Sequence, residues 1–219
     1  MIYPISFNLE LRKNAYPGKL IVIEGIDGSG KTTQAKELVK RLNKNNMNAA
    51  YTKEPTDMVI GQFIREKILT GQITLHPVAS QYLFNADRVM HMEKIEALLA
   101  KGMIVVMDRY FWSAVAYAIA DKAGATDYYL VAFSVLSFYH QFLSPDITFY
   151  LDISVEKALE RIKQSGKHKE IYDNRETLPN IKRSYDMLLQ KFPDVFTRIN
   201  ANRPAQEITD EIFARLQTL

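Results

Sequence analysis

The stretch that decides the fold runs from residue 20 to residue 32 and reads Leu20-Ile21-Val22-Ile23-Glu24-Gly25-Ile26-Asp27-Gly28-Ser29-Gly30-Lys31-Thr32. Its apolar, β-branched start predicts a buried strand, and the amphipathic pattern of residues 31–45 predicts a helix. Between them, residues 25–32 match G-x-x-x-x-G-K-[ST], a loop whose backbone N–H groups surround nucleotide phosphates. Because the motif requires a strand before it and a helix after it, this context predicts a nucleotide-phosphate site.

Each part of this phosphate loop has a physical task. The glycines let the backbone curl inward, and the start of the following helix adds its positive dipole end to the anion site. Lys31 places a charge on the β and γ phosphates, and Thr32 offers a hydroxyl to Mg²⁺. We therefore expect ATP and Mg²⁺ as cofactors, with the nucleotide held by Gly25, Ile26, Asp27, Gly28, Ser29, Gly30, Lys31, Thr32 and Thr33.

Short apolar runs alternate with longer helical patterns along the rest of the chain. The predicted strands are 20–24, 48–52, 103–108, 147–152 and 196–200. The predicted helices are 31–45, 59–69, 77–101, 113–122, 127–143, 155–164, 176–191 and 205–217. This alternation predicts a three-layer α/β P-loop NTPase fold, in which a parallel five-stranded sheet carries helices on both faces. One domain, 19–219, follows an extension at 1–18, and ligands of such sheets bind beyond the carboxyl ends of the strands.

Composition narrows the class of protein. The 219 residues include no cysteine, which excludes disulfides, thiolate catalysis and cysteine-based zinc sites. A formal net charge of +3 is too small to predict nucleic-acid binding by itself. Neither a signal peptide nor an apolar run of membrane-spanning length is present, so we expect a cytoplasmic protein without a membrane partner.

A second set of residues follows the ends of other predicted strands. Residues 53–56 read Lys-Glu-Pro-Thr, with Arg65 some turns later, and residues 84–88 read Phe-Asn-Ala-Asp-Arg on the long third helix. The third strand leads into Asp108-Arg109-Tyr110, followed by Ser113 and Tyr117, and residues 161–169 are strongly basic. Since the phosphate loop identifies a nucleotide but not a reaction, this second set must define the other substrate.

In this order, IEGIDGSGKTTQ, EPT, FNADR, DRYFWSAVAY and TFYLD resemble the thymidylate kinase (dTMP kinase) family from residue 19 to the carboxyl terminus. The resemblance implies transfer of the ATP γ-phosphoryl group to dTMP, giving dTDP and ADP for dTTP synthesis. It also implies a homodimer whose small-molecule substrates are ATP and dTMP. The acceptor residues it implies are Asp27, Glu54, Pro55, Arg65, Phe84, Arg88, Arg109, Ser113, Tyr117 and Tyr172. The catalytic residues it implies are Lys31, Asp27, Arg109, Lys167 and Lys169.

Several of these positions also have a direct physical interpretation. Phe84 can stack on a pyrimidine or belong to the core, and Arg88, on the same helical face, can contact a base carbonyl or a phosphate or form a surface salt bridge. Arg109, just after a buried strand, suits a bidentate clamp on the acceptor phosphate. Asp108 can serve the Mg²⁺ site with Thr32 or cap a helix. The resemblance implies that Asp27 contacts the sugar 3′-hydroxyl and that Tyr117 lies beside the 2′ position.

Two departures from the family pattern affect these expectations. Gly28 stands where some members carry an arginine, which resembles the subtype whose transition state is neutralised by a basic lid. The lid, about residues 161–174, supplies Arg161, which we also expect at the nucleotide, together with Lys163, Lys167 and Lys169. Lysine cannot make the bidentate fork of arginine, so a solvated basic loop remains an alternative. The second departure is Thr56-Asp57, where bacterial members commonly have Gly-Gly.

Alternatives remain for the reaction and for one helix. Another nucleoside monophosphate or a deoxynucleoside could be the acceptor, and a non-catalytic nucleotide-binding protein could share the fold. The apolar, aromatic helix at 127–143 is either a core helix or part of a subunit interface.

Overall fold

Five parallel strands form the centre of the structure, a computed structural model that describes residues 10–121, 142–166 and 170–217. They are β1 (Lys19–Glu24), β2 (Ala49–Lys53), β3 (Ile104–Asp108), β4 (Ile147–Asp152) and β5 (Phe196–Asn200). The spatial order is β2-β3-β1-β4-β5, which places the apolar β1 in the middle. The predicted parallel five-stranded α/β fold is therefore confirmed.

Helices pack around this sheet. They are α1 (Lys31–Lys44), α2 (Val59–Phe63), α3 (Pro77–Leu99), α4 (Phe111–Asp121), α5 (Val155–Gln164), α6 (Leu178–Lys191) and α7 (Ala205–Leu216), and α2 continues as a π-helical turn, Ile64–Ile68. Helices α1 and α7 pack together, whereas α4 packs against α3 and α6. Most of the predicted helix at 127–143 lies outside the described residues. At its end, Leu143 is not helical and pairs with Arg12 in an isolated parallel bridge.

The strand register brings three carboxyl ends to one edge of the sheet. Ile23 of β1 is paired with Asp108 of β3, and Asp108 is paired in turn with Lys53 of β2. The loops that follow these strands therefore start side by side. They contain the phosphate loop, the 54–58 turn and Arg109, so the register gathers the three predicted parts of the site.

The described part of the predicted extension, residues 10–18, lies against the domain. Arg12 forms an ion pair with Glu96 of α3, and Tyr16 donates a hydrogen bond to the same carboxylate at 2.7 Å. The Asn14 amide donates to Asp146 at 2.7 Å. Within the three described ranges, no helix combines the length and apolar character that crossing a membrane requires.

Candidate active site

The phosphate loop connects β1 directly to α1, which begins at Lys31. Gly28 has a φ of 77°, in the left-handed region, and a Cβ built there would lie 2.3 Å from the Ala158 carbonyl oxygen of α5. The loop therefore has no room for a side chain at this position. The buried Ser29 hydroxyl has no hydrogen-bond partner among the described residues.

Lys31 is buried beneath this loop. Its Nζ donates to the Ile26 carbonyl at 2.8 Å and lies 3.9 Å from the Asp27 carboxylate. Burial and the nearby charge of Arg109 lower the pKa of Lys31 to about 8. The amine donates one short hydrogen bond inside the loop, to the Ile26 carbonyl, and phosphate oxygens could readily replace that carbonyl.

Asp27, Arg109 and Tyr117 form one partly buried network. The Arg109 guanidinium pairs with the Asp27 carboxylate, and the Tyr117 hydroxyl donates to the same carboxylate at 2.6 Å. Arg109 also donates to Tyr117 at 3.0 Å. Burial opposes ionisation, but the charges of Arg109 and Lys31 outweigh it and lower the pKa of Asp27 below its ordinary value. These cations explain how a carboxylate persists inside an anion-binding loop.

A hydroxyl and a carboxylate meet at the start of α1. Thr32 Oγ1 donates to Asp108 Oδ2 at 2.5 Å. Both groups are hard oxygen ligands, and Mg²⁺ in nucleotide sites takes one or two such groups while phosphate and water complete its octahedron. This donor set fits the Mg²⁺ site that the sequence predicts for Thr32 and Asp108.

A buried ion pair lies at the other end of the site. Arg88 of α3 donates from Nε to Glu54 Oε2 at 2.7 Å, and the two side chains are only 3% and 4% exposed. His91 Nδ1 lies 3.2 Å from the second Glu54 oxygen, and its Nε2 lies 2.6 Å from the Thr52 hydroxyl. The salt bridge that the sequence allowed for Arg88 therefore exists, but it is internal and not on the surface. His91 belongs to no motif that predicts the site, although its spacing of three residues from Arg88 places the two on one face of α3.

Arg65 holds the turn after β2. Its guanidinium donates to the carbonyls of Pro55 and Thr56 and pairs with Asp57 at 2.7 Å. Most of its donors are therefore used within the protein, which reduces the role that we expected for it at the acceptor. Phe84 packs beside the apolar cluster of the π-helical turn and also faces the site.

One cavity of about 790 Å³ joins these parts. The predicted residues that line it are Asp27, Gly28, Gly30, Lys31, Thr32, Thr33, Glu54, Pro55, Arg65, Phe84, Arg88, Asp108, Arg109, Ser113, Tyr117, Arg161 and Tyr172. Gly25, Ile26 and Ser29 are not part of its lining, and Lys167 and Lys169 lie outside the described residues. The structure thus brings the phosphate loop and the expected acceptor residues around a single space.

The expected lid begins on a helix. Arg161 belongs to α5, and its guanidinium donates to the Ser29 carbonyl at 3.3 Å and the Ala201 carbonyl at 3.0 Å, so it supports the phosphate loop from behind. Further on, the Tyr172 ring meets the Tyr117 ring edge to face with centroids 4.9 Å apart. Glu170 and Asp173, which were not among the predicted site residues, also line the cavity. Burial raises the pKa of both carboxyl groups, and the negative charge of Asp27 raises it further.

A phosphate loop between β1 and α1, at the carboxyl edge of a parallel sheet, defines a nucleotide-binding P-loop protein of the α/β class. The family model described as thymidylate kinase matches residues 23–212, and the chain belongs to the thymidylate kinase family. Both the predicted family and the predicted kinase class are therefore confirmed.

Individual proteins agree with the family match. A probable thymidylate kinase from Thermococcus kodakarensis is 34% identical, over 91% of this chain and 97% of its own. The thymidylate kinase of Carboxydothermus hydrogenoformans is 36% identical, over 92% of this chain and 98% of its own. The solved structure of thymidylate kinase from Candida albicans, described as having broad substrate specificity, superposes with a TM-score of 0.76 at 26% identity, and 92% of each chain is covered.

Proposed function

We propose that this chain transfers the γ-phosphoryl group of ATP to the 5′-phosphate of dTMP, giving ADP and dTDP. The observation that carries the proposal is the single cavity that joins the phosphate loop to Arg109 and to the Phe84–Arg88 face of α3. A donor and an acceptor bound at its two ends would meet beside Asp27. In-line transfer needs such positioning and charge neutralisation and no covalent protein intermediate.

On the donor side, the loop amides and Lys31 bind the ATP phosphates. Binding moves the Lys31 amine from the Ile26 carbonyl to phosphate oxygens, which restores the full charge that burial disfavours. Thr32 and Asp108 would hold Mg²⁺, which supplies charge neutralisation at the β and γ phosphates. Arg161 keeps the loop in place through the Ser29 carbonyl.

On the acceptor side, Arg109 provides the planar fork for the 5′-phosphate. Its guanidinium is shared with Asp27, Ser113 and Tyr117, and so it is pre-oriented before the acceptor arrives. The Asp27 carboxylate then accepts from the sugar 3′-hydroxyl, and the Tyr117 ring occupies the space that a 2′-hydroxyl would need. Phe84 stacks on the pyrimidine.

Arg88 reads the base. Its Nε is committed to Glu54, but its Nη2 has only a 3.5 Å contact with the Tyr110 carbonyl. That nitrogen can still donate to a base carbonyl. Thymine has a carbonyl at position 4, whereas cytosine has an amino group there, which is itself a donor. The basic lid residues, Lys167 and Lys169 among them, would add charge neutralisation. A homodimer in the cytoplasm completes the proposal and rests on the family resemblance.

The test is ADP release with Mg²⁺-ATP and each nucleoside monophosphate or deoxynucleoside in turn. We expect dTMP to accelerate ADP release most. The assay also includes dUMP and purine monophosphates, because the Candida albicans relative is described as broad in specificity. Stronger acceleration by a different acceptor would reassign the substrate. No acceleration by any acceptor, with ATP still bound, would favour a non-catalytic nucleotide-binding protein.

A further inference from the structure

Glu24, the last residue of β1, is a fully buried carboxylate that receives four hydrogen bonds. Oε1 accepts from the backbone N–H groups of Tyr110 at 3.0 Å and Ser113 at 3.2 Å. Oε2 accepts from the Ser113 hydroxyl at 2.5 Å and from the Tyr185 hydroxyl at 2.8 Å. Its side chain is 0% exposed, so it cannot touch a nucleotide, and neither the phosphate loop nor the acceptor site uses it.

These bonds fix the backbone beside Arg109. Arg109 has a φ of 72°, a left-handed conformation that a residue with a side chain adopts only where its surroundings impose it. Tyr110 follows it directly, and α4 begins one residue later. The Glu24 carboxylate therefore anchors the N–H groups that follow the strained residue and places a negative charge at the positive end of α4.

A second chain of contacts reaches the guanidinium itself. Arg109 Nη1 donates to Ser113 Oγ at 3.1 Å, and this hydroxyl in turn donates to Glu24. Tyr185, from α6, lies 2.9 Å from the same Ser113 oxygen. The backbone that follows Arg109 and the Arg109 side chain are thus both tied to the Glu24 carboxylate, which also accepts from a hydroxyl of a helix distant in sequence.

We propose that Glu24 and Tyr185 are positioning residues for Arg109, which they hold at the angle that lets its fork meet the acceptor phosphate. This inference rests on the proposed function, because it gives the buried cluster a task in the same transfer. It differs from a merely structural role in one respect. It predicts that loss of the Tyr185 hydroxyl changes turnover and the Arg109 side chain more than it changes stability or ATP binding.

The electrostatics supply an independent readout. Burial raises the pKa of Glu24, while bonds from Ser113 and Tyr185 and the charge of Arg109 act against that rise. The other titratable groups that face it are Lys31 in the phosphate loop and Tyr150 on β4. Removal of the Tyr185 hydroxyl takes away a bond that favours the ionised form, so the pKa of Glu24 rises further. The acid limb of the kcat profile should then move to higher pH.

The chain offers a matched control for this experiment. Tyr150 is also fully buried, and its ring centroid lies 5.1 Å from that of Tyr185, but its hydroxyl has no partner among the described residues. We expect Tyr185→Phe to lower kcat with dTMP by about 10-fold while KM for ATP stays within about twofold, and Tyr150→Phe to change neither. Only Tyr185→Phe should move the acid limb.

Two further measurements keep the outcomes separate. The ¹⁵N resonance of the Arg109 Nε group should shift in Tyr185→Phe and not in Tyr150→Phe, and this does not depend on which acceptor is used. Glu24→Gln, which removes the negative charge and replaces one accepting oxygen by an N–H donor, should shift it more. A failure of the proposed function would appear in the wild type as no turnover of dTMP. Equal kcat, pH profile and Arg109 resonance in the two Tyr→Phe variants would overturn the inference.

Discussion

Arg109 and Asp27 form an ion pair that links the end of β3 to the middle of the phosphate loop. The Asp27 carboxylate would repel ATP if it stood alone, but Arg109 on one side and Lys31 at 3.9 Å on the other offset its charge. The pair also holds the guanidinium before any acceptor binds. Donor loop and acceptor clamp are therefore one electrostatic unit, in which each partner offsets the charge of the other and fixes its orientation.

Removal of the Arg109 side chain tests this unit. Arg109→Ala should lower kcat with dTMP by about 100-fold or more, because the acceptor phosphate loses its clamp, while ATP binding is largely preserved. Arg109→Lys should recover little, since an ammonium cannot reproduce the fork. Steady-state kinetics and ATP titration measure the two effects. Unchanged turnover in Arg109→Ala would refute the clamp.

The pairing also predicts non-additivity. Asp27→Asn alone should reduce kcat, since the carboxylate that orients Arg109 and the sugar is lost. In the Arg109→Ala background the same change should cost much less, because the partner is already absent. Losses that simply multiply in the double variant would mean that the two residues act independently.

Gly28 should not tolerate a side chain. Gly28→Ala places Cβ 2.3 Å from the Ala158 carbonyl oxygen and also strains a φ of 77°. Gly102 has a φ of 74° with nothing within 4 Å of a built Cβ, so Gly102→Ala reports the conformational cost alone, about 1 kcal/mol. We expect Gly28→Ala to lower the Tm more than the control does and to weaken ATP binding at least about 10-fold. Equal effects of the two substitutions would show that the contact with α5 is unimportant.

The Glu54–Arg88 pair should stabilise the fold as well as position Arg88 for binding of the acceptor base. Arg88→Met leaves the Glu54 carboxylate buried without its guanidinium partner, and loss of one partner of such a pair costs about 3–5 kcal/mol in the free energy of unfolding. Arg198→Met is the control, because its ion pair with Asp152 is exposed and contributes less than about 1 kcal/mol. Urea unfolding compares them, and similar values for both variants would contradict the importance of burial.

The features that the sequence predicted well are local ones. The run from Leu20 to Glu24, the phosphate loop and helix α1 are contiguous, so apolar pattern and motif determine them together. The features that were missed depend on partners distant in the chain. Glu24 bonds to Tyr185, 161 positions away, and Glu54 bonds to Arg88, 34 positions away. Only the packing of α3 and α6 onto the rest of the fold brings such residues together, and periodicity does not encode that packing.

Arg65 shows another limit of sequence reasoning. The family resemblance implies an acceptor contact for Arg65, which lines the cavity and also donates to the carbonyls of the turn after β2. A cation near a substrate loop and a cation that holds the loop have the same sequence signature. The directions of the backbone carbonyls distinguish a substrate-binding cation from one that holds the loop, and sequence spacing does not give those directions.

The lowered pKa of Lys31 makes nucleotide binding sensitive to pH. In the folded protein the pKa is about 8, against an ordinary value of 10.5, so between these values the unfolded chain binds more protons and stability rises with pH. Nucleotide binding has the opposite sign, because phosphates favour the charged amine and raise its pKa. ATP should therefore bind with uptake of part of a proton at pH values between about 8 and 10.5, and its affinity should fall as pH rises above 8.

Calorimetry in buffers of different ionisation enthalpy measures this uptake, with EDTA present so that no metal contributes. Lys31→Met should abolish it. Lys44→Met, at the exposed end of α1, should leave it unchanged, because that amine is far from the phosphate loop. Uptake that persists in Lys31→Met would assign the proton to another group. No uptake in the wild type would mean that burial and Arg109 do not depress the pKa of this amine.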